Sequence, residues 1–317
     1  MRLIIDTHVH VFPDPLRKLA PGLASGSLAQ TRKFLRLWRR PVSRTLHKLQ
    51  TLMRYFPSPA LRALDEVGGF APLPGLLIES TVADLIEALG EAKTNRAVIM
   101  AQPPLCPNEL VLDVCAEFPQ LIPAVNLAPG TRDPKRTLQK YCRLGAKFLK
   151  IHPAADGRGV DYAQYLTTIK AACDLGLPIV VHTGSLNSHL LYKDPAQGNA
   201  ERFKKWFRDF PATFVLAHMN MHSPNAAMDL AEEFSNVLLE TSWQPAEVIG
   251  EAVRRIGAER VIFGSDWPIV GDNIRVGIER VDEAVSGGMI SDEQAQMILG
   301  GNAARIFGIK EVAENAT

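Results

Sequence analysis

The chain has 317 residues, of which 46% are hydrophobic and 22% charged, with a net charge of +1. That composition excludes a disordered or fibrous chain and leaves material for one α/β barrel with an insertion, or for two ordinary domains. Cys106, Cys115, Cys142 and Cys173 form no CxxC pair, so reduced thiols and a cytoplasmic location are expected. No apolar run approaches the ~20 residues of a membrane span. Because Met1-Arg2 runs directly into an apolar strand, a signal peptide is not expected.

The first strand is Leu3-Ile4-Ile5-Asp6-Thr7-His8-Val9-His10. Side chains alternate along a strand, so His8 and His10 share one face. The regular rhythm then stops until about residue 75. Between Leu16 and Leu64 stand eleven Lys/Arg and no Asp or Glu, leaving 24 basic and 34 acidic residues elsewhere. Apolar residues recur there at helical spacing: Phe34, Leu35 and Trp38, then Leu46, Leu49, Leu52, Met53 and Phe56, divided by Pro41. This predicts two short amphipathic helices with cationic faces in an insertion over 13–75.

An alternation of helix and strand follows. The predicted helices are 84–93, 108–118, 134–144, 161–175, 201–210, 224–234 and 245–256, with two more at 273–285 and 291–307. The predicted strands are 97–100, 121–127, 146–152, 178–183, 213–218, 236–241 and 260–265. With the first strand that makes eight, nearly all apolar, which implies a parallel sheet covered on both faces and closed as a (β/α)8 TIM barrel. A doubly wound sheet is the alternative, but no GxGxxG opens a helix after a strand. The whole chain, 1–317, therefore reads as a single barrel domain, with the helical insertion after strand 1 over its catalytic face.

Active sites of such barrels lie at the C-terminal strand ends. Strand 1 ends in His8 and His10, strand 4 in Lys150 and His152, strand 5 in His182, strand 6 in His218 and strand 8 in Asp266. Strand 7 offers Glu240 and Ser242, then Trp243. Five of the eight histidines thus sit at one topological level. Bland readings compete: His152, before Pro153, serves equally well as a strand cap, and Lys150 as an ion-pair partner. His47, His189 and His222 read as surface or loop residues. His8, His10, His182 and Asp266 together suit zinc or another first-row divalent ion.

The same residues carry a family resemblance. Ile5-Asp6-Thr7-His8-Val9-His10, Lys150-Ile151-His152-Pro153, Val181-His182-Thr183-Gly184, Leu216-Ala217-His218 and Phe263-Gly264-Ser265-Asp266-Trp267-Pro268 occur in order. They resemble the amidohydrolase superfamily. Within it they are similar to the amidohydrolase-related branch that includes aminocarboxymuconate-semialdehyde decarboxylase and aromatic-acid decarboxylases. The closing Gly301-Asn302-Ala303-Ala304-Arg305-Ile306-Phe307-Gly308 resembles that branch's C-terminal signature. The resemblance implies one divalent metal, usually zinc, on His8, His10, His182 and Asp266, with His218 catalytic and a homodimeric assembly. In binuclear members a strand-4 lysine is carbamylated; Lys150 is on that strand, but Lys-x-His-Pro looks like the mononuclear branch. One departure is Asn220, where a glycine often follows the strand-6 histidine by two positions.

A divalent cation would lower the pKa of a bound water from 15.7 towards about 7. Asp266 would touch the metal with one oxygen and accept a proton on the other, while His218 would orient the water and pass a proton to the leaving atom. Lys150, His152, Trp243 and the insertion arginines, Arg40 and Arg44 with Arg36 and Arg39 beside them, are the candidates to hold substrate or buttress a ligand. A cationic lid points to an anionic, carboxylate-bearing small molecule. Hydrolysis leads, decarboxylation is the alternative, and a non-catalytic metal-binding scaffold docking to an anionic surface is the reading of another class. Nucleic acid is disfavoured, because the remainder of the chain is acidic and no aromatic platform accompanies the basic run.

Overall fold

A computed structural model describes residues 2–14, 80–184, 192–269 and 273–309, with seven further positions between 22 and 34. Eight parallel strands follow one another around one sheet in chain order. They are β1 (Ile5–Val9), β2 (Arg96–Met100), β3 (Leu121–Asn126), β4 (Phe148–Ile151), β5 (Ile179–His182), β6 (Phe214–Ala217), β7 (Val237–Glu240) and β8 (Val261–Ile262). The segment after β8 returns to β1: Thr7 N–H donates to the Phe263 carbonyl at 3.0 Å, and Asp266 N–H to the His8 carbonyl at 2.8 Å. The predicted (β/α)8 barrel is the fold observed.

Helices α1 (Val82–Glu91), α2 (Asn108–Glu117), α3 (Pro134–Arg143), α4 (Pro153–Asp156), α5 (Ala163–Asp174), α6 (Lys204–Asp209), α7 (Pro224–Glu233), α8 (Ala246–Ile256) and α9 (Asn273–Ser286) cross over between strands. Local chemistry starts several of them. Thr81 and Asp84 form a reciprocal capping box on α1, and Asp133 caps α3 with Pro134 in its first turn. On α8 the apolar Ile249, Ala252, Val253 and Ile256 are buried, one face at helical spacing. The final predicted helix is broken: α10 (Asp292–Gln296) and α11 (Asn302–Phe307) flank a π-helical turn, Met297–Gly301. There Gly300 lies so close to the Leu3 carbonyl that a Cβ would overlap it, so the chain detours where the floor of the barrel meets β1.

The barrel interior is layered. Ile5, Val98, Met100, Ile122, Ala124, Phe148, Val180, Val215, Ala217, Leu238 and Ile262 form one buried cluster, closed below by Ala303, Phe307 and Ile309. Phe307 meets Phe148 edge-on at 4.6 Å, so the C-terminal signature is a plug. Two residues beyond the interior positions of β4, β5 and β7 stand Lys150, His182 and Glu240, all buried. Apolar layers below and polar ones above put the chemistry at the C-terminal mouth.

Of the insertion predicted over 13–75, residues 26, 27, 30, 31, 33 and 34 are helical and exposed. Its predicted second helix and Arg36, Arg39, Arg40 and Arg44 lie outside the described residues, as do His47 and His189. No described helix is long and apolar enough to cross a membrane.

Candidate metal centre

β1 delivers two histidines through a bulge. Its pairing with β2 shifts register between Asp6 and Val9, so Ile5 packs in the interior layer while Val9 packs in the outer cluster against the helices. The extra residue lets His8 and His10 both reach the barrel mouth although their numbering is out of step with Ile5. His8 Nε2 and His10 Nε2 lie 3.5 and 3.2 Å from Asp266 Oδ1. Ligand atoms of these three residues all fall within 4.8 Å of one another. His182 stands outside that group: its Nδ1 faces His218 Nε2 at 3.2 Å, and its Nε2 is buried without a hydrogen-bond partner.

Left-handed backbone aims three of the remaining groups. Val215 and Ala217 occupy the interior of β6, so a continued strand would turn His218 outward. Instead the strand stops, and His218, Met219, Asn220 and Met221 all take positive φ (64, 43, 59 and 46°). Each costs about 1–2 kcal/mol. The turn is held by Gln244 Nε2, which donates to the carbonyls of His218 at 2.5 Å and Met221 at 3.2 Å. Asn220 N–H donates to Thr183 Oγ1, while its side chain accepts from Ala200 N–H and donates to the Ser223 carbonyl. The departure from glycine at this position is thus explained. The backbone needs φ > 0, which asparagine tolerates better than most side chains. Trp243 and Asp266 are left-handed too, with φ of 66 and 60°.

Trp243 Nε1 donates to Asp266 Oδ2 at 2.7 Å. One oxygen of Asp266 thus faces the histidines, and the other, expected from the sequence to accept a proton, holds the indole N–H on one of its lone pairs. Lys150 Nζ lies 3.3 Å from His8 Nε2. His152 Nδ1 accepts the Ala155 N–H at 3.1 Å and caps α4. Its ring also stacks on His182 at 3.7 Å and 13°, bracing that side chain. His222 lines a cavity of about 260 Å³ at the ends of β5 and β6, with Gly184 and Asn220.

Glu240 is the residue the sequence reading named without giving it a role. Its Oε2 faces His8 Nδ1 at 3.2 Å, accepts the His218 N–H at 3.0 Å and accepts the Ser242 hydroxyl at 2.8 Å. Its Oε1 accepts the Ser242 N–H at 2.5 Å. The available signal was a lone acid ending an apolar strand, two residues before a serine on the same face. Asp6, another buried acid, accepts N–H bonds from His8 and Ser265, each at 3.0 Å, and so ties β1 to the β8 loop.

Burial dominates the electrostatics. It holds His8, His152 and His182 well below the ordinary imidazole range and His218 at about 4. Neutral imidazoles, the ligating form, result. Burial lowers Lys150 to about 8 against the pull of Asp266 and Glu240. It pushes Glu240 and Asp6 up to about 7, against the N–H and hydroxyl donors that face them. At Asp266 burial works upward, but His218 and His10 hold the carboxyl below its usual range. Neutral imidazoles on His8 and His182, the latter with a buried unpartnered nitrogen, the His10 imidazole beside them and the ionised Asp266 carboxylate are a donor set that fits a divalent cation.

Comparison with known proteins agrees with this fold. The family model described as Amidohydrolase matches residues 5–309. No curated protein matches the chain in sequence. Among solved structures, 5-carboxyvanillate decarboxylase from Sphingomonas paucimobilis superposes with a TM-score of 0.65 at 18% identity, covering 98% of this chain and 100% of that one. A probable 2-pyrone-4,6-dicarboxylic acid hydrolase from Acinetobacter baumannii, with citric acid bound, gives 0.59 at 14% identity over 96% and 99%. The 5-carboxyvanillate decarboxylase of Novosphingobium aromaticivorans, complexed with manganese and a nitrobenzoic acid, gives 0.61 at 16% identity over 97% of this chain and 96% of that one. With its family match running from β1 to the end of the C-terminal plug, the chain is an enzyme of the amidohydrolase family.

Proposed function

We propose that this enzyme hydrolyses a small carboxylate-bearing substrate with the help of one divalent metal, zinc foremost, held by His8, His10, His182 and Asp266. The observation that carries the reading is the neutral, buried His218 set beside the His8–His10–Asp266 group, its Nδ1 fixed 2.5 Å from Ser242 Oγ. A bound divalent cation supplies Lewis acidity that draws the pKa of a water from 15.7 towards about 7. His218 Nε2, as the neutral base, takes the water's proton once the water replaces His182 Nδ1 as its partner, and returns it to the leaving atom. Asp266, with Oδ2 occupied by Trp243, serves as an anionic anchor more than as a proton acceptor. Lys150 brings a cation within 3.3 Å of His8 Nε2, where it can hold a substrate oxygen. The eleven Lys/Arg and no acid between Leu16 and Leu64 make the insertion over 13–75 a source of attraction for a substrate carboxylate, with Arg36, Arg39, Arg40 and Arg44 its candidate contacts from sequence alone. Four free cysteines suit a reducing cytoplasm, and a homodimer accords with the family resemblance.

Decarboxylation is the second reading. It is favoured by the two decarboxylases among the solved structures compared and by Lys150, a buried ammonium able to protonate carbon. The deciding experiment offers lactones, esters, amides and aromatic or unsaturated acids to metal-loaded enzyme. It follows both carbon dioxide release and uptake of isotopically heavy oxygen from water. Heavy oxygen in the product without carbon dioxide is expected. Carbon dioxide release without it would replace hydrolysis by decarboxylation, and no turnover by a metal-loaded chain would leave the scaffold reading.

A further inference from the structure

We infer that Glu240 is a positioning residue that sets the tautomers of His8 and His218 together, pointing the His8 Nε2 lone pair at the metal position and leaving His218 Nε2 as the proton acceptor. The inference rests on the metal-centre reading for its consequence, but its argument is the hydrogen-bond order alone. Two backbone N–H groups and the Ser242 hydroxyl donate to the Glu240 carboxylate, so its surroundings fit the ionised, acceptor-only form. His8 Nδ1 must then carry the proton of the 3.2 Å bond, and its Nε2 keeps a lone pair. Ser242 has one hydroxyl proton, and it goes to Glu240 Oε2 at 2.8 Å. At the 2.5 Å contact with His218 Nδ1 the serine oxygen can therefore only accept, which protonates Nδ1 and puts the lone pair on Nε2. His218 Nε2 in turn accepts from His182 Nδ1 at 3.2 Å, leaving His182 Nε2 as the buried, unpartnered nitrogen. One carboxylate thereby orients three imidazoles.

His8, His218 and Glu240 are also close enough to be grouped as ligands of a cation. That grouping would need His8 Nδ1 deprotonated and would crowd an ion against a backbone N–H and a hydroxyl already on Oε2, so hydrogen bonding is the better account. Gly264 adds a steric reason: a Cβ there would overlap Glu240 Oε1. The glycine of the Gly-Ser-Asp segment keeps room for the carboxylate.

The test compares wild type, Glu240→Gln and Ser242→Ala as full chains. Ring-nitrogen chemical shifts of the histidines are read on metal-free protein at mildly alkaline pH, and Zn2+ affinity by competition with a chromophoric chelator. Wild type is expected to show Nδ1–H on both His8 and His218. Glu240→Gln should disturb both and weaken Zn2+ binding about 10–100-fold. Ser242→Ala cuts only the His218 branch, so His218 should lose its Nδ1–H preference while Zn2+ affinity stays within about 3-fold of wild type. Unchanged tautomers in Glu240→Gln, or an equal affinity loss in Ser242→Ala, would overturn the inference. Should Glu240→Gln not fold, an unchanged His218 tautomer in Ser242→Ala does so by itself. Absence of Zn2+ binding in wild type defeats the metal-centre reading instead, and the tautomer shifts still decide this one.

Discussion

Gly184, two residues beyond His182, has a φ of +67°. A Cβ added there would lie 2.5 Å from Met221 Cβ, 2.6 Å from the Asn220 carbonyl carbon and 2.7 Å from Met221 N. Two of those atoms are backbone, in the left-handed turn that carries His218, and cannot swing aside as a side chain would. An alanine at positive φ costs about 1 kcal/mol or a little more, and overpacking adds about 1–3 kcal/mol. Gly176 has nearly the same φ, +65°, with nothing within 4 Å of its Cβ position, so Gly176→Ala carries only the first of these costs. An unfolding entropy of about 2.1 cal/mol/K per residue makes each kcal/mol worth roughly 1.5 °C in a chain of this length. Gly184→Ala should then melt about 3–6 °C below wild type and Gly176→Ala about 1–2 °C below, as followed by circular dichroism. Turnover should fall in the first variant alone, because the clash displaces His218. Equal melting shifts, or full activity in Gly184→Ala, would refute the packing argument.

Asp266→Ala should lose both metal and activity, checked by plasma mass spectrometry on protein purified without chelator or histidine tag. A variant keeping both would remove Asp266 from the site. His218→Ala should keep its metal while turnover drops by about 10²–10⁴-fold, and an unchanged rate would exclude it as the base. Trp243→Phe deletes the 2.7 Å bond to Asp266 Oδ2. It should weaken metal binding about 10–100-fold with little change in fold, measured by chelator competition. Asn302 is 1% exposed, and its Nδ2 donates to the Ala258 and Val261 carbonyls at 2.7 and 2.8 Å. Asn302→Ala should therefore cost about 1–3 kcal/mol, seen in chemical unfolding, with the metal site intact.

Much of this fold is written in local periodicity. Phe148 and Lys150, Val180 and His182, Leu238 and Glu240 are pairs two residues apart. A strand's twofold alternation alone therefore puts each polar partner on the face of its apolar one. The same alternation misleads on β1 and β6. A bulge brings His8 and His10 inward out of step with Ile5, and a left-handed turn brings His218 inward out of step with Ala217. Both devices depend on neighbours distant in the chain, which a single sequence does not display. His152, read from the sequence as a strand cap or a residue buttressing the site, caps a helix instead of its strand, because Pro153 starts a helical turn whose N–H needed an acceptor.

The sequence by itself determined the barrel, its order of strands and the level at which chemistry would sit, because backbone geometry imposes those periods residue by residue. Only the tertiary structure decided that the second oxygen of Asp266 meets Trp243 and that Glu240 meets His8 and His218 at once. Those bonds join residues 23, 232 and 22 positions apart, and closure of the barrel is what brings such residues within 3.2 Å.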